Sequence, residues 1–477
     1  MSGLATWIFT LCLGYYSICA LQWYSYKIER VLFNYAKPKW HLYYALLPFL
    51  VFNLALMLSN ALGLLLGFIY IGLLVRWQMQ IKSRLVITER VTRYFLILAV
   101  VAALCLMGFK KWYFLAPASI VAVVLSFYLS LLIERELYKK YEKQAIEKLK
   151  TMKDLKIVLI TASYGKTSIK NYLQSMLESV YKVQASPRSV NTAAGLLQDI
   201  NENLNEKTQI YIAEAGARAK GDILEIVKIL NPQFVIIGQI GNAHLEYFKN
   251  LENTRATKLE ALKSTRLKKL IAHSSTGLSN NENTIIYDEL FTLISSGLDG
   301  LKFTLKIANE SLELNAPNIL GSFNASNLTA AALMANELGL SSQIISQSIS
   351  TLKNPQHRLS RINAGGKIII DDGFNGNFEG MSASYELVRG FDGRKVLVTP
   401  GIIEGAKDDN IKLAALINEI FDLVIITGDL NQNELKSQLN KPEIITLKNK
   451  SDLEQTLAQN TKSGDLILFS NDAPEYI

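Results

Sequence analysis

The feature that most constrains this chain is the run of uncharged residues near its start. Residues 3–24 carry no charge over 22 positions, and about 20 apolar residues are enough for a helix to cross a bilayer. A secretory signal peptide would have basic residues before the run and a small-residue cleavage site after it, and the sequence shows neither. We therefore predict a membrane-spanning helix here.

Further apolar runs follow within the first 135 residues. Residues 41–75 are again uncharged, and Ser59 near their middle favours two short spans that turn there. One tilted span or a re-entrant pair is the alternative. Residues 94–109 and 112–133 give a fourth and a fifth span. The prediction is an α-helical membrane region at residues 1–135 with about five spans, and the bilayer is its partner.

Positive charge is concentrated in this region. Of the 50 Lys+Arg and 42 Asp+Glu residues, residues 1–135 hold 12 and 3, and the remainder holds 38 and 39. A basic surface for nucleic acid is therefore not expected. Basic residues follow the first, third and fifth spans, which predicts that residues 134–477 lie in the cytoplasm. An even number of spans would place them outside.

The pattern changes after a charged helix predicted at residues 136–155. Residues 156–160 have a buried-strand pattern, a turn of small residues follows, and apolar side chains then recur at helical spacing. A strand, a turn with Gly-Lys-Thr and a helix form the setting of a phosphate-binding loop. Backbone N–H groups at the helix start favour phosphate. Lys166 would reach the β- and γ-phosphates of ATP, and the Thr167 hydroxyl would bind Mg²⁺.

Two further predicted strands end in polar residues. Residues 210–213 lead to Glu214, and residues 234–237 lead to a turn that contains His244. Ligands of α/β proteins bind at the carboxyl ends of the parallel strands. We therefore predict that Glu214 and His244 lie beside the phosphate-binding loop and help to hold a magnesium-bound nucleotide.

An ordered series of short motifs resembles the Mur ligase family. The segments are 162–168 (ASYGKTS), 214–217 (EAGA), 240–246 (IGNAHLE), 321–328 (GSFNASNL), 356–359 (QHRL) and 370–378 (IDDGFNGNF). The first is similar to the family's G-x-x-G-K-T-[ST] loop. The last looks most like a D-D-S-Y-N-A-N-P stretch in the member that adds D-alanyl-D-alanine. The resemblance covers about residues 155–477. The family's uridine-binding N-terminal domain has no counterpart among these motifs. The predicted apolar spans stand before the first motif instead.

The resemblance implies a fold and an activity. The fold is a P-loop-type central ATPase domain at residues 156–315 followed by a Rossmann-like C-terminal α/β domain at residues 316–477. The activity is an ADP-forming ligase that uses ATP and Mg²⁺ to add D-alanyl-D-alanine to UDP-N-acetylmuramoyl-tripeptide through an acyl phosphate, in peptidoglycan synthesis. Together with the predicted spans, this activity places the protein in the bacterial inner membrane as a multi-pass protein, where contacts with membrane-bound cell-wall enzymes are expected.

The resemblance also assigns residues to roles. The catalytic residues are Lys166, His244 and Lys258, the last of which matches a lysine that the family carbamylates. The metal ligands are Thr167, Glu214, His244 and Lys258. The nucleotide-binding residues are Ser163, Tyr164, Gly165, Lys166, Thr167, Ser168, Asn324, Asn327, Arg358 and Asp372. The residues assigned to the incoming dipeptide are Asn375 and Asn377. A solvated helix lysine is the alternative for Lys258, and a polar turn is the alternative for the last pair.

Two other functions stay open at this point. A poly-γ-glutamate or capsule-type amide ligase also joins a membrane anchor to a Mur-like domain, and it would use glutamate as its acceptor amine. An ATP-driven transporter or switch would need polar groups inside its spans, and the predicted spans carry no internal charge.

Overall fold

The computed structural model describes most of the chain, and two of the predicted site residues, His244 and Asn375, lie outside the described residues. The described residues are 2–24, 26–33, 39–81, 84–108, 112–241, 248, 250–307, 310–374, 376–402, 407–427, 432–447 and 452–471. The chain forms two compact units that divide after Lys140.

The first unit is helical. Its helices are α1 (Ser2–Trp23), α2 (Ile28–Phe33), α3 (Lys39–Leu58), α4 (Asn60–Gln80), α5 (Glu89–Gly108) and α6 (Trp112–Thr151), of which α6 continues into the second unit. Five of these helices, all but α2, contain segments long and apolar enough to cross a membrane. They coincide with the five predicted spans, and their location in a bilayer stays a prediction.

The turn at Ser59 divides residues 41–75 as the two-span interpretation expects. Ser59 is extended and ends α3, and its Oγ accepts a hydrogen bond from the Leu62 N–H at 3.1 Å. A serine that accepts such a bond satisfies one of the free N–H groups at a helix start. This cap explains why one uncharged stretch forms two helices.

Helix α1 is the core of the first unit. In the apolar stretch of α1 61% of the residues are buried, whereas 17–33% are buried in the corresponding stretches of the other four long helices. Those outer helices expose large apolar side chains such as Leu54, Phe68 and Leu96. Soluble proteins rarely expose so much contiguous apolar surface, so this exterior is typical of a lipid-facing one.

The second unit contains a six-stranded parallel sheet with the order β2-β3-β1-β4-β5-β6. Its strands are β1 (Lys156–Thr161), β2 (Val183–Ala185), β3 (Ile210–Glu214), β4 (Phe234–Ile237), β5 (Lys269–Ala272) and β6 (Thr284–Ile286). The helices along it are α7 (Lys166–Leu177), α8 (Ala193–Glu202), α9 (Asp222–Leu230) and α10 (Leu251–Lys258). From β1 the chain runs to β2 at one edge of the sheet, returns to β3 beside β1, and then crosses to β4 on the other side of β1. Such a switch point forms a ligand crevice at the carboxyl ends of the strands.

A three-stranded antiparallel sheet and two helices share one hydrophobic core with this first sheet. They are β7 (Phe291–Gly297), β8 (Gly300–Ile307), β9 (Glu310–Ala316), α11 (Phe323–Glu337) and α12 (Ser342–Thr351). Apolar side chains of α11 and α12, such as Leu328 and Ile349, share one core with Val158 of β1. The domain boundary at residue 316 stays a prediction, and this packing argues for a later one.

The second sheet has the order β10-β11-β15-β12-β13-β14, and only its edge strand β10 is antiparallel to its neighbour. Its strands are β10 (Ser360–Ala364), β11 (Lys367–Asp372), β12 (Lys395–Thr399), β13 (Leu423–Ile426), β14 (Glu443–Thr446) and β15 (Leu466–Ser470). The helices along it are α13 (Phe378–Arg389), α14 (Lys407–Ile420), α15 (Gln432–Gln438) and α16 (Leu453–Asn460). The predicted α/β architecture of the second half of the chain is therefore confirmed.

Candidate active site

The loop between β1 and α7 has the geometry of a phosphate-binding loop. Gly165 precedes α7 with a φ of +77°, which glycine adopts at little cost. A Cβ at this position would lie 2.3 Å from Asn327 Oδ1. Residue 165 therefore needs both the positive φ and the missing side chain, and the N–H groups at the start of α7 are free to face an anion.

Ala162 stands where the family's loop has its first glycine. The residue is fully buried, and a Cβ at Gly238, which follows β4, would meet the Ala162 Cβ at 2.9 Å. The methyl group of Ala162 thus fills the space that a side chain at residue 238 would need. The departure from the family pattern is accommodated by a glycine on the neighbouring strand end.

The other loop residues are held by contacts with the turn after β4. The Ser163 N–H donates to Gln239 O at 2.8 Å, and Ser163 Oγ donates to Gly241 O at 3.2 Å. The ring of Tyr164 lies so close to Gly241 that a Cβ there would meet Cε2 at 2.5 Å. Ser168 is buried in the first turn of α7. These contacts hold the loop rigidly beside the two strand ends.

Lys166 folds back over this loop. Its Nζ donates to Ala162 O at 2.8 Å. Burial lowers the pKa of Lys166, while the Glu214 carboxylate opposes this shift and the Arg358 guanidinium adds to it. The Lys166 ammonium therefore lies among the charged groups of the site.

Glu214 ends β3 and is 1% exposed. Thr167 Oγ1 donates to its Oε2 at 3.0 Å, and Asn191 Nδ2 donates to its Oε1 at 3.3 Å. A hydroxyl and a carboxylate in contact suit Mg²⁺, which binds one or two carboxylates and takes its other ligands from phosphate and water. The described residues contain no cluster of three or more His, Cys, Asp or Glu that could hold a metal. Thr167 and Glu214 therefore fit a Mg²⁺ ion that would take its other ligands from nucleotide phosphates and water.

Lys258 is the last residue of α10 and is only 3% exposed. Burial lowers its pKa to about 7, and the positive charge of Lys166 contributes to the shift. A solvated helix lysine is therefore not what the structure shows. The chain instead buries an amine close enough to Lys166 for their charges to interact.

The two predicted asparagines of α11 are linked to each other. Asn327 Nδ2 donates to Asn324 Oδ1 at 2.9 Å, and Asn324 Nδ2 donates to Leu320 O at 2.7 Å. Both residues are buried, and Asn327 lies against Gly165. The structure therefore places this pair beside the phosphate-binding loop. Their role in binding the nucleotide stays a prediction.

Residues of the second sheet reach the same loop. Burial lowers the pKa of Arg358, and the nearby carboxylates of Asp372 and Glu214 oppose that shift. Asp372 is buried at the end of β11. The Tyr164 hydroxyl donates to Glu379 Oε2 at 3.3 Å. The structure thus brings the predicted C-terminal residues to the predicted loop.

Asn377 has a structural task. It precedes α13, and its Oδ1 accepts a hydrogen bond from the Gly380 N–H at 2.9 Å. This contact is a helix cap, which agrees with the polar-turn alternative. Its assignment to the dipeptide stays a prediction.

Three residues that contact the site were not predicted from the sequence. Lys170 and Asn191 both contact Glu214, and Glu379 contacts Tyr164. A signal was available only for Lys170, because it lies four residues after Lys166 and thus on the same face of a helix. Asn191 comes from a segment with no recognisable motif, and Glu379 directly follows the 370–378 motif but is not part of it.

Known proteins are similar to this chain in sequence and in fold. Residues 160–335 match the family described as Mur ligase middle domain. The UDP-N-acetylmuramoyl-tripeptide–D-alanyl-D-alanine ligase of Buchnera aphidicola subsp. Baizongia pistaciae is 27% identical over 323 residues, which is 62% of this chain and 69% of that protein. The chain therefore contains a Mur ligase middle domain. The Bacillus subtilis ligase of the same name is 25% identical over 340 residues, which is 66% of this chain and 72% of that protein.

Solved structures of Mur ligases have the same fold. MurF of Thermotoga maritima, in complex with ADP, gives a TM-score of 0.61 at 23% identity, over 70% of this chain and 80% of that chain. MurF of Acinetobacter baumannii gives a TM-score of 0.61 at 19% identity, over 70% of this chain and 77% of that chain. The α/β part of this chain therefore folds as theirs does.

Proposed function

We propose that this chain is an ADP-forming Mur ligase that adds D-alanyl-D-alanine to UDP-N-acetylmuramoyl-tripeptide in peptidoglycan synthesis. The observation that carries the proposal is the contact of Thr167 with Glu214 beside the Gly165 turn, in a chain similar to several ligases of that name. The similar Thermotoga maritima structure is a complex with ADP, which supports ATP as the co-substrate.

The residues divide between nucleotide and metal. Gly165 and the N–H groups at the start of α7 would hold the phosphates, and Arg358 and Asp372 would reach the nucleotide from the second sheet. Thr167 and Glu214 would hold Mg²⁺, together with Lys258 and His244 as further proposed ligands. When bound, the metal neutralises charge on the phosphate oxygens.

The reaction needs an activated carboxyl group, because a carboxylate is a poor acylating agent. Transfer of the γ-phosphoryl group to the terminal carboxylate of the tripeptide gives an acyl phosphate. The amine of D-alanyl-D-alanine then attacks its carbonyl carbon and displaces phosphate. The Lys166 ammonium and the N–H groups of α7 would stabilise the charge that develops on the transferred group. No covalent enzyme intermediate is required.

The buried amine of Lys258 supports its proposed carbamylation. Only a neutral amine can attack carbon dioxide, and burial brings the pKa of Lys258 to about 7. At neutral pH a substantial fraction of this amine is therefore unprotonated. Carbamylation would convert it into an anionic oxygen ligand for Mg²⁺.

We also propose that the enzyme is a multi-pass protein of the inner membrane with its α/β part in the cytoplasm. Five helices of sufficient length and apolarity support this location, as do the basic residues after the first, third and fifth of them. Contacts with other membrane-bound cell-wall enzymes are part of the proposal. A fusion of a reporter that is active only in the cytoplasm to the C-terminus tests it, and an inactive, stably expressed fusion would contradict it.

The decisive experiment is an acceptor-dependence assay on the full-length protein in detergent. With UDP-N-acetylmuramoyl-tripeptide, ATP and Mg²⁺ present, we expect ADP release only when D-alanyl-D-alanine is added. Release that depends on glutamate would favour the poly-γ-glutamate-type ligase, and release without any amine would favour a transporter or switch.

A matched pair of lysine variants controls this assay. Lys166→Ala removes the charge beside the transferred phosphoryl group, and we expect it to abolish turnover. Lys153→Ala changes an exposed lysine that precedes β1, and it should behave as the wild type. Normal turnover in Lys166→Ala would contradict the assignment of the phosphate-binding loop.

A further inference from the structure

Lys170 is a buried lysine that none of the roles above uses. It lies on α7 one turn after Lys166, and its side chain is 1% exposed. A lysine is almost never fully buried unless it is paired. Its surroundings therefore have to supply acceptors for the ammonium group.

Three acceptors surround Lys170 Nζ. The ammonium donates to Ser186 O at 2.7 Å and to Arg188 O, and it lies 3.5 Å from Glu214 Oε2. A lysine ammonium has three N–H donors and no acceptor, so its donors match these three oxygens in number. A neutral side chain of similar length would leave at least one buried oxygen without a donor.

The loop of residues 186–191 is also bonded to Glu214 and to Gly216 near it. Ser186 Oγ accepts a hydrogen bond from the Glu214 N–H at 3.2 Å. Asn191 Nδ2 donates to Glu214 Oε1, and Asn191 O accepts from the Gly216 N–H at 2.8 Å. Lys170 thus lies where this loop, the end of β3 and the first turns of α7 meet.

We propose that Lys170 is a positioning residue for the metal site. It holds the Glu214 carboxylate against the Thr167 hydroxyl, and it fixes the 186–191 loop against that carboxylate through two carbonyl groups. Binding of the magnesium-bound nucleotide therefore depends on Lys170, although Lys170 is not itself a ligand. The inference rests on the proposed function, because it concerns the metal that this function uses.

Metal binding would depend on Lys170 because the Glu214 carboxylate is buried. Lys166 and Arg358 also act on the Glu214 carboxylate, but a buried carboxylate that loses the ammonium in contact with it is less well compensated, so it reorients or draws in water. The oxygen that Thr167 contacts is also the one that lies near Lys170. Loss of the ammonium therefore displaces the oxygen on which the proposed metal depends. Groups that orient metal ligands in this way are typically worth about 10–100-fold in metal affinity.

The test uses the full-length protein in detergent with Lys170→Met, which removes the charge at nearly constant length. Calorimetric titration with ADP, at a series of Mg²⁺ concentrations, measures how strongly the metal improves ADP binding. We expect the Mg²⁺ concentration for half-maximal improvement to rise about 10–100-fold, while ADP binding without Mg²⁺ stays as in the wild type. The same shift should appear in the Mg²⁺ dependence of ADP formation, with less change at saturating Mg²⁺.

Tyr211→Phe is the matched control for a merely structural role. Tyr211 is buried in the same strand as Glu214, and its hydroxyl donates to Asp199 Oδ2 at 2.7 Å. This variant also breaks a buried charged hydrogen bond, and it should leave the Mg²⁺ dependence unchanged. An equal shift in this control would mean that general destabilisation causes the effect, and it would overturn the inference.

Lys170→Gln provides a second variant that keeps two N–H donors. We expect a smaller shift in Mg²⁺ dependence than in Lys170→Met. Wild-type Mg²⁺ dependence in either folded variant would overturn the inference and leave the proposed function standing. Loss of folding in both would make Lys170 a structural residue and also overturn it. Absence of Mg²⁺-dependent ADP binding in the wild type would instead contradict the proposed function.

Discussion

At the scale of single residues, the site is built from charged groups that the fold buries. Lys258 is the clearest example, because its pKa is lowered from 10.5 to about 7. Such a shift means that the folded state disfavours the protonated amine. A group kept in that condition reduces stability, which proteins accept mainly where function requires it.

The burial of Lys258 predicts a pH-dependent gain in stability for Lys258→Met. Between about pH 7 and 10.5 the unfolded chain binds a proton that the folded chain does not, so the wild-type free energy of unfolding rises with pH there. Below about pH 7 the full cost is present, on the order of a few kcal/mol. In CO₂-free buffer, Lys258→Met should therefore be more stable than the wild type at pH 6.5, and the difference should shrink by pH 10.

Thermal unfolding of the full-length protein at a series of pH values measures this difference. Lys263→Met is the control, because Lys263 lies in the following turn and is exposed. It should change stability little at any pH. A constant difference between Lys258→Met and the wild type across the pH range would contradict the proposed cause.

Sequence reasoning located residues whose roles follow from neighbours along the chain. Gly165, Lys166 and Thr167 were predicted because a strand, a turn and a helix follow one another. Glu214 was predicted because strand ends in a parallel sheet meet at one edge. Asn191 was not predicted, because its position against Glu214 depends on a loop whose path no local pattern specifies.

At the scale of elements, helix α11 is packed against the phosphate-binding loop. Asn327 on α11 occupies the space in which a side chain at Gly165 would lie. The two parts are far apart in the sequence, yet neither can change without the other. The sequence predicted each element, whereas their close approach depends on the packing of α11 on the first sheet.

This contact predicts that Gly165→Ala will weaken nucleotide binding. The new Cβ would lie 2.3 Å from Asn327 Oδ1 at a φ of +77°, so the buried Asn327 side chain, the loop or α11 must move. We expect a loss of stability greater than the roughly 1 kcal/mol that a strained φ alone costs, together with weaker ADP binding by calorimetry.

Gly221→Ala separates the two contributions. Gly221 has a φ of +97°, and a Cβ there meets nothing within 4 Å. This variant therefore reports the backbone cost alone and should bind ADP normally. If the two variants lost equal stability and ADP affinity, the contact with Asn327 would have no role.

At the scale of the whole molecule, the α/β part includes the end of the long helix α6. Ala145 and Leu149 of α6 are buried. Lys148 Nζ donates to Ile200 O at 2.7 Å, and Asn201 Nδ2 donates to Tyr141 O at 2.9 Å. The sequence predicted a charged linker at residues 136–155. The structure shows that this segment packs on α8 from Tyr141 onward and there belongs to the second unit.

This packing predicts different outcomes for two truncations. A chain that starts at residue 141 should be soluble, fold and bind ADP with Mg²⁺. A chain that starts at residue 153 loses the buried Leu149 and the hydrogen bonds to α8, and it should be less stable by about 2–4 kcal/mol. Denaturant unfolding compares the two. Equal stability would contradict the packing, and failure of the longer one to fold would mean that the first unit is needed.

The close approach of Ala162 to Gly238 has a consequence for the sequence motifs by which such enzymes are found. Two positions, one on each of two neighbouring strand ends, share room for a single small side chain. A motif that requires glycine at position 162 does not match this chain. A motif that accepts glycine at either position 162 or position 238 does match it. Searches that treat the two positions jointly should reveal relatives that single-site patterns miss.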